Sequence, residues 1–454
     1  MKDKNYKEAK NIVTSMLEDY RLPADIKIKL LGLRVQLNYE LKNQKEIISD
    51  LKQITVLDPG NFDYFLGLLD AYVRNKNHEK ATELLFHIMS EFHQDINKIP
   101  YIEINTIVRE LDIQNSKMLP ELLERLFSTG YKGGPDNAEL DNLYIQYMKV
   151  NLTRGKPESA IEYIDRIHNI IDLINLRQNR EFEDLWNFPE FKEITSPSRI
   201  LKITLEHSKK LMEEKPDRLS FVSRYIRNIH LMGKTSEAIQ LAQEYIDKAD
   251  EYSDKDRYLS WLYNDLSQYY FSINEFDKAN LNMESAILHA NRGESVNFMI
   301  NYSLMLVEQD EYQRAILFSE RAVDRGVSDY GRMLINAVQA RAYYAIKERD
   351  KSNEFINKMK EDKKTNPAEL INTLIFTGKI KEAGDILLSA LEDERHKSNT
   401  IIRLQNYIEN KSRPTKYQKI IRSGYKKLLG SKRIKEKVAE IARIDSFPFI
   451  KPYE

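Results

Sequence analysis

The residues of this chain that could do chemistry approach several catalytic and ligand-binding signatures and complete none. Gly233-Lys234-Thr235 has the ending of a phosphate-binding loop. That motif places another glycine five residues before its last one, so that backbone N–H groups can wrap the phosphates. Position 228 is Asn, and the flanking pattern is helical where a strand is needed. Gly233 therefore reads as a turn between helices. His78-Glu79 opens like the metalloprotease pair, which needs a second histidine one helical turn later to share the zinc; position 82 is Thr. The eight histidines are scattered, and His87 and His93, six apart, do not share a helical face closely. No DxDxDG calcium loop and no GxSxG nucleophile elbow occurs. The chain has no cysteine, which excludes disulfides, thiolate metal sites and thiolate nucleophiles. Carboxylates are so frequent that a solvated helix face explains their pairs. No catalytic residue, metal site or cofactor is assigned.

The 454 residues are too many for one small core. Charged residues make up 31% and hydrophobic residues 41%, a balance suited to thin helical layers with much surface per residue. The 70 basic and 70 acidic side chains cancel, so no global basic excess points to nucleic acid. No apolar run reaches the roughly 18 residues of a membrane span, and Met1 to Lys10 lack the apolar core of an export signal. The chain as written is expected to be cytoplasmic. Its richness in Lys, Asn, Ile and Tyr resembles proteins of AT-rich bacterial genomes.

Internal repeats organise these residues. Tyr263 to Ala286 carries Leu266 and Tyr270 on one helix, Asn274 in a turn, and Phe276, Ala279, Met283 and Ala286 on a second helix. Apolar residues three and four apart form one helical face, and the small Ala279 lets two helices approach. Gly155, Gly233 and Gly378 each precede an alanine by five residues, as a turn at a helix end would require. Aligned on the small residue, the column reads Ala9, Ile47, Ala81 and Ala160, then Ala238, Ala279, Ala315, Ser352 and Ala383. The steps are 38, 34 and 79, then 41, 36, 37 and 31; the step of 79 leaves room for one irregular unit. That stretch, Asn97 to Asn137, contains Pro100, Pro120 and the turn-like YKGGPDN.

On Phe65, Leu68, Leu69, Tyr72, Ala81, Leu85 and Ile88, on Tyr144, Tyr147, Met148, Ala160, Ile164 and Ile167, and on the unit around Ala279, the chain resembles the tetratricopeptide repeat family. That family repeats two antiparallel helices about every 34 residues. Pro59 stands where it places a repeat-closing proline. The resemblance covers most of residues 5–395 in a degenerate form. It implies an all-α fold, a right-handed superhelical solenoid of antiparallel helix pairs in two arrays. The segment NYKEAKNIVTSML around Ala9 looks like a second helix without its first, so either it caps the array or an upstream segment preceded it. Residues 1–195 form the expected first array. It closes on the dense apolar set Leu176, Phe182, Leu185, Trp186, Phe188 and Phe191, which reads as a hydrophobic lid more readily than as a docking site. Residues 196–410 form the second array, and 411–454 a basic helix with an extended tail.

The resemblance also implies where a ligand would sit, since first helices of such units line the concave surface. In the second array these positions include Arg224, Arg227, Trp261, Asn264, Gln268, Asn301, Arg341 and Tyr344. Guanidinium groups fork onto carboxylates and amides pair with peptide backbone, so this face would suit an extended peptide or an acidic tail. The lysine and asparagine positions with which chaperone-binding members hold a C-terminal carboxylate do not map: Ser223 stands for the first lysine and Asp265 for an asparagine. Lys416, Lys419, Arg422, Lys426, Lys427, Lys432, Arg433, Lys435 and Lys437 make a basic terminal stretch, expected to cap the array with a polar face. Beyond it, Phe447, Pro448, Phe449, Ile450, Pro452 and Tyr453 are expected to be extended and to dock back. The expected function is a non-enzymatic scaffold for a protein or peptide partner; the alternative is a peptide-sensing regulator of a signalling partner. Oligomeric state has no signature here.

Overall fold

The computed structural model describes residues 2–135, 139–408 and 413–452. The chain divides into two compact units that meet between Ile167 and His168. The first opens with α1 (Lys2–Leu17) and continues in helix pairs: α2/α3 (Ala24–Glu40, Gln44–Leu57), α4/α5 (Phe62–Arg74, His78–Glu91), α6/α7 (Tyr101–Ile113, Leu119–Ser128) and α8/α9 (Asp141–Thr153, Pro157–Ala160). A 3-10 turn, Ile161–Arg166, prolongs α9.

The second unit starts with α10 (Ile170–Gln178), α11 (Pro189–Ile194) and α12 (Pro197–Glu214). Five pairs follow: α13/α14 (Leu219–Leu231, Thr235–Asp247), α15/α16 (Lys255–Ser272, Phe276–His289), α17/α18 (Ser295–Glu308, Tyr312–Val323), α19/α20 (Asp329–Ala345, Arg349–Glu361) and α21/α22 (Pro367–Phe376, Ile380–Glu392). The unit ends with α23 (Lys397–Arg403), β1 (Asn406–Tyr407), α24 (Lys416–Gly430), α25 (Lys432–Ile441) and β2 (Ser446–Phe447). The fold is all-α, a solenoid of consecutively packed helix pairs, as the repeat pattern implies.

One local device sets each pair. Five residues before the column residue the backbone enters the left-handed region, at Lys42, Lys76, Gly155, Gly233, Asn274, Asp310, Lys347 and Gly378. The next residue commonly donates its N–H to the carbonyl five back, as Asn43 does to Asn38, Glu275 to Tyr270 and Lys379 to Leu374. This six-to-one bond ends one helix and aims the chain into the next. Glycine marks three of these turns and ordinary residues the rest, which is why a glycine pattern reveals only some of them. The irregular unit obeys the same rule. Asn115 is left-handed, Ser116 donates to Leu111, and position 120 is Pro, which suits the first turn of α7 and hides the repeat from a search for small residues.

The column is the seam of each pair. Ile47, Ala81, Ala160, Ala238, Ala279, Ala315, Ser352 and Ala383 are all buried, whereas Ala9 on α1 is half-buried. Two seams are close enough for a hydroxyl of one helix to reach a carbonyl of its partner: Ser267 Oγ donates to Ala279 O at 2.8 Å, and Ser352 Oγ to Ala340 O at 2.8 Å. Larger side chains at these positions would force the helices apart.

The aromatic segment belongs to the second unit. Leu176, Phe182, Leu185 and Phe191 are buried there. Arg177 pairs with Asp445 at 2.6 Å, Arg180 Nε donates to Ala439 O at 2.8 Å, and the Arg443 guanidinium lies 3.9 Å from the centre of the Trp186 ring. The compactness boundary therefore falls near 167, ahead of the turn near 195, because the segment between them packs on the C-terminal stretch. In the glycine-rich loop, Gly134 lies in the left-handed region, and a Cβ there would overlap the Ile99 carbonyl oxygen; Asp136 and Asn137 lie outside the described residues. Among the described residues no helix is long and apolar enough to cross a membrane.

Candidate binding face

The first helices of the second unit, α13, α15, α17, α19 and α21, carry all eight residues expected to meet a ligand. The structure brings them together in two groups with different surroundings.

The α13–α17 group is partly exposed, with Asn264 buried. Arg227, exposed over half of its side chain, pairs with Asp265 at 2.9 Å. Asp265 is buried and also accepts from Ser223 Oγ at 2.9 Å. The two residues that break the family's carboxylate-holding pattern thus form a network of their own. Beside it, His230 stacks on Tyr269 with ring centres 4.7 Å apart, and its Nδ1 lies 3.2 Å from Thr235 Oγ1. Burial disfavours the imidazolium more than nearby Asp265 favours it, so the His230 pKa falls to about 4. The Tyr269 hydroxyl is buried without a hydrogen-bond partner among the described residues, and burial together with Asp265 raises its pKa well above the usual phenol value. Asn301 Nδ2 donates to Asn264 Oδ1 at 3.0 Å, joining α17 to α15. Trp261 sets its edge against Phe298 at 4.8 Å. Arg224 and Gln268 are half-buried.

The α19–α21 group is covered by the chain's own C-terminal stretch. Arg341 is 2% exposed. It pairs with Glu369, donates from Nε to Thr373 Oγ1 at 3.1 Å and from Nη2 to Glu369 O at 3.2 Å, and lies 5.2 Å from the centre of the Tyr417 ring. Burial alone would raise the Glu369 pKa, but Arg341 and Arg403 outweigh it and hold the carboxylate below its ordinary value. Arg341 is therefore closed off from a peptide by burial: its expected place on an open groove is corrected to a buried ion pair. Tyr344 is half-buried, with the Arg349 guanidinium 3.4 Å from its ring centre and Phe376 at 6.0 Å.

The covering stretch runs along the C-terminal ends of the first helices. Ile450 N–H donates to Leu231 O at 2.9 Å and Asn274 Nδ2 to Arg413 O at 3.0 Å. Gln418 Nε2 donates to Glu308 Oε2 at 3.2 Å, and Tyr425 OH to Asn372 Oδ1 at 3.2 Å. Tyr417 rests on Phe376 at 5.6 Å, and Gly424 passes so close to Ile375 that a Cβ would overlap its side chain. The last segment docks back as expected: β2 pairs in parallel with β1, and Phe447 and Phe449 are buried, while Tyr453 lies outside the described residues. The basic stretch is amphipathic. Tyr417, Leu428, Ile434 and Val438 are buried, and Lys416, Lys419, Lys426, Lys427, Lys432, Arg433 and Lys435 are exposed; Lys411 lies outside the described residues. Sequence reading missed Glu369, Tyr417, Tyr269 and His230. Its available clue was Asp265 and Ser223, polar residues at positions that an isolated amphipathic helix would give to apolar ones.

No family model and no curated protein matches the chain. Among solved structures it is similar to helical-repeat proteins at low identity. The pentatricopeptide repeat protein PPR10 from maize is 12% identical with a TM-score of 0.40, over 96% of this chain and 64% of that one. Naa15/Naa10 bound to HypK-THB is 10% identical with a TM-score of 0.29, over 96% and 74%. Yeast Tom70 is 12% identical with a TM-score of 0.36, over 97% and 96%. The chain thus spans about two thirds of the length of PPR10.

Proposed function

We propose that the chain is a non-enzymatic scaffold of the tetratricopeptide type that holds an extended segment of a protein partner on the first-helix face of its second unit. One observation carries this reading. The face already holds peptide, namely the chain's own C-terminal stretch, through a backbone bond at Leu231, side-chain bonds at Asn274, Glu308 and Asn372, and a tilted ring contact at Phe376. Away from those contacts the α13–α15 part offers the same kinds of group: the exposed Arg227 guanidinium, and the half-buried Gln268 amide and Trp261 ring. A photo-crosslinking residue at Gln268, compared with one at the exposed Lys278 on α16, tests it in native lysate. A partner captured from position 268, absent from position 278 and weakened by Arg227→Ala supports the reading. A partner captured equally from both, or indifferent to Arg227→Ala, refutes this face.

The covered part favours a second reading, a peptide-sensing regulator. A ligand that competed with α24 would release the C-terminal stretch, and faster proteolysis after residue 404 in the presence of partner would select it over a fixed scaffold.

A further inference from the structure

Away from the first-helix face, a cleft opens at the edge of the second unit where α18 ends, α19 begins and α20 ends. Its volume is about 740 Å³, within the range of small-molecule sites. The base is made by Met333, Gln339 and Phe355. The rim carries five carboxylates, Glu320, Asp324, Asp329, Glu361 and Asp362, against two cations, Arg332 and Lys358. Lys358 is already bound by Glu354 at 2.6 Å, outside the cleft. α18 and α20 also end at this edge, and the C-terminal end of a helix favours positive charge.

Carboxylates on a rim are ordinary surface; the base is not. Gln339 is 7% exposed, lines the cleft, and has no hydrogen-bond partner among the described residues. Its amide atoms keep contact with solvent in the cleft, so a ligand there meets a polar group that no protein atom already holds. Asn336, one turn earlier on the same face of α19, also lines the cleft. An unpaired amide, apolar side chains around it and excess negative charge at the mouth together specify a ligand with a positive head and an aliphatic body.

We propose that this cleft binds a protonated amine or guanidinium carried on a methylene chain. The Gln339 carbonyl accepts one of its N–H groups, Met333 and Phe355 contact its methylenes, and the rim carboxylates balance its charge. Such a group arrives either as a free polyamine or as a lysine or arginine side chain of a protein.

The test uses the full chain with its methionine methyl groups labelled with carbon-13, Met333 being assigned through Met333→Leu. Spermidine and a capped Gly-Lys-Gly peptide are titrated separately. Saturable movement of the Met333 methyl signal is expected with at least one probe. Gln339→Leu should weaken that binding about tenfold, the loss expected for one hydrogen bond to a charged group. The surface pair Asp324→Asn with Glu361→Gln, which leaves the core untouched, should weaken it by a similar factor and flatten its salt dependence. Binding of spermidine alone identifies a free polyamine as the source, and binding of the peptide identifies a protein side chain. A Met333 signal that moves with neither probe overturns the proposal, as does binding that both variants leave unchanged.

Discussion

Arg227 and Arg341 stand on first helices of two repeats in one unit, and by spacing alone they are equivalent. Arg227 keeps half of its side chain in solvent, and its carboxylate partner Asp265 reaches inward. Arg341 is sealed beneath Tyr417 with Glu369. The difference lies in neither helix. It is made by α24, a segment some 80 residues beyond Arg341, laid over Arg341 and not over Arg227. A solenoid position acquires its role from whatever covers it, and repeat register cannot report that.

The sharpest way to break the comparison is to remove each arginine. Arg341→Ala strands the Glu369 charge in the interior and is expected to lower stability by about 3–5 kcal/mol. Arg227→Ala removes a half-exposed guanidinium and leaves Asp265 held by Ser223, so it should cost less, about 1–2 kcal/mol. Urea midpoints of the two variants measure this, and equal losses would erase the distinction.

Next in size is the protonation of His230, within the α13–α17 part. Its folded pKa of about 4 lies below the ordinary 6.5, so the unfolded chain takes up a proton first as pH falls. Its contribution is fully present above about pH 6.5, declines as pH falls toward 4, and amounts to about 3 kcal/mol at most. Unfolding followed from pH 7.5 to 4 should show this decline in the wild type and lose that component in His230→Phe. An unchanged slope in the variant would remove His230 from the account.

Gly424→Ala addresses the cover itself. The added methyl meets Ile375, and relieving that overlap is expected to cost about 1–3 kcal/mol. Hydrogen exchange should rise in α24 and around Arg341 while that of α13 and α15 stays constant. A uniform rise would mean that the cover supports the whole face.

The pair structure was legible because it is local. The column residues are spaced and sized by helix contact, and seven of the nine are alanine. The irregular pair was not, since Pro120 occupies the column and Asn115 the turn. The places of Arg227, Asn264 and Trp261 on first helices were legible, and their neighbours sit one repeat away on adjoining helices. Arg341 was not, because Tyr417 is brought to it by a long return of the chain, and no periodicity encodes such a contact.

A smaller effect probes the turns. At Lys347 a side chain occupies a left-handed backbone that costs an L-residue roughly 1–2 kcal/mol. Lys347→Gly should recover part of this, about 1 kcal/mol or less once the added freedom of the unfolded chain is counted, as a small rise in melting temperature. A fall would mean that the lysine contributes through contacts beyond its backbone.

The fixed interval from turn to seam divides the chain into places where length can change and places where it cannot. Between one pair and the next, spacing already ranges widely, from 31 to 41 residues across the second unit's column. One residue inserted between Lys347 and Ser352 would rotate the rest of α20 by about 100°, carrying the serine out of its seam and a charged neighbour into it. The same residue added between pairs would lengthen a loop. Repeats of this kind can therefore differ in period through residues gained or lost between hairpins, while the interval from turn to seam stays fixed.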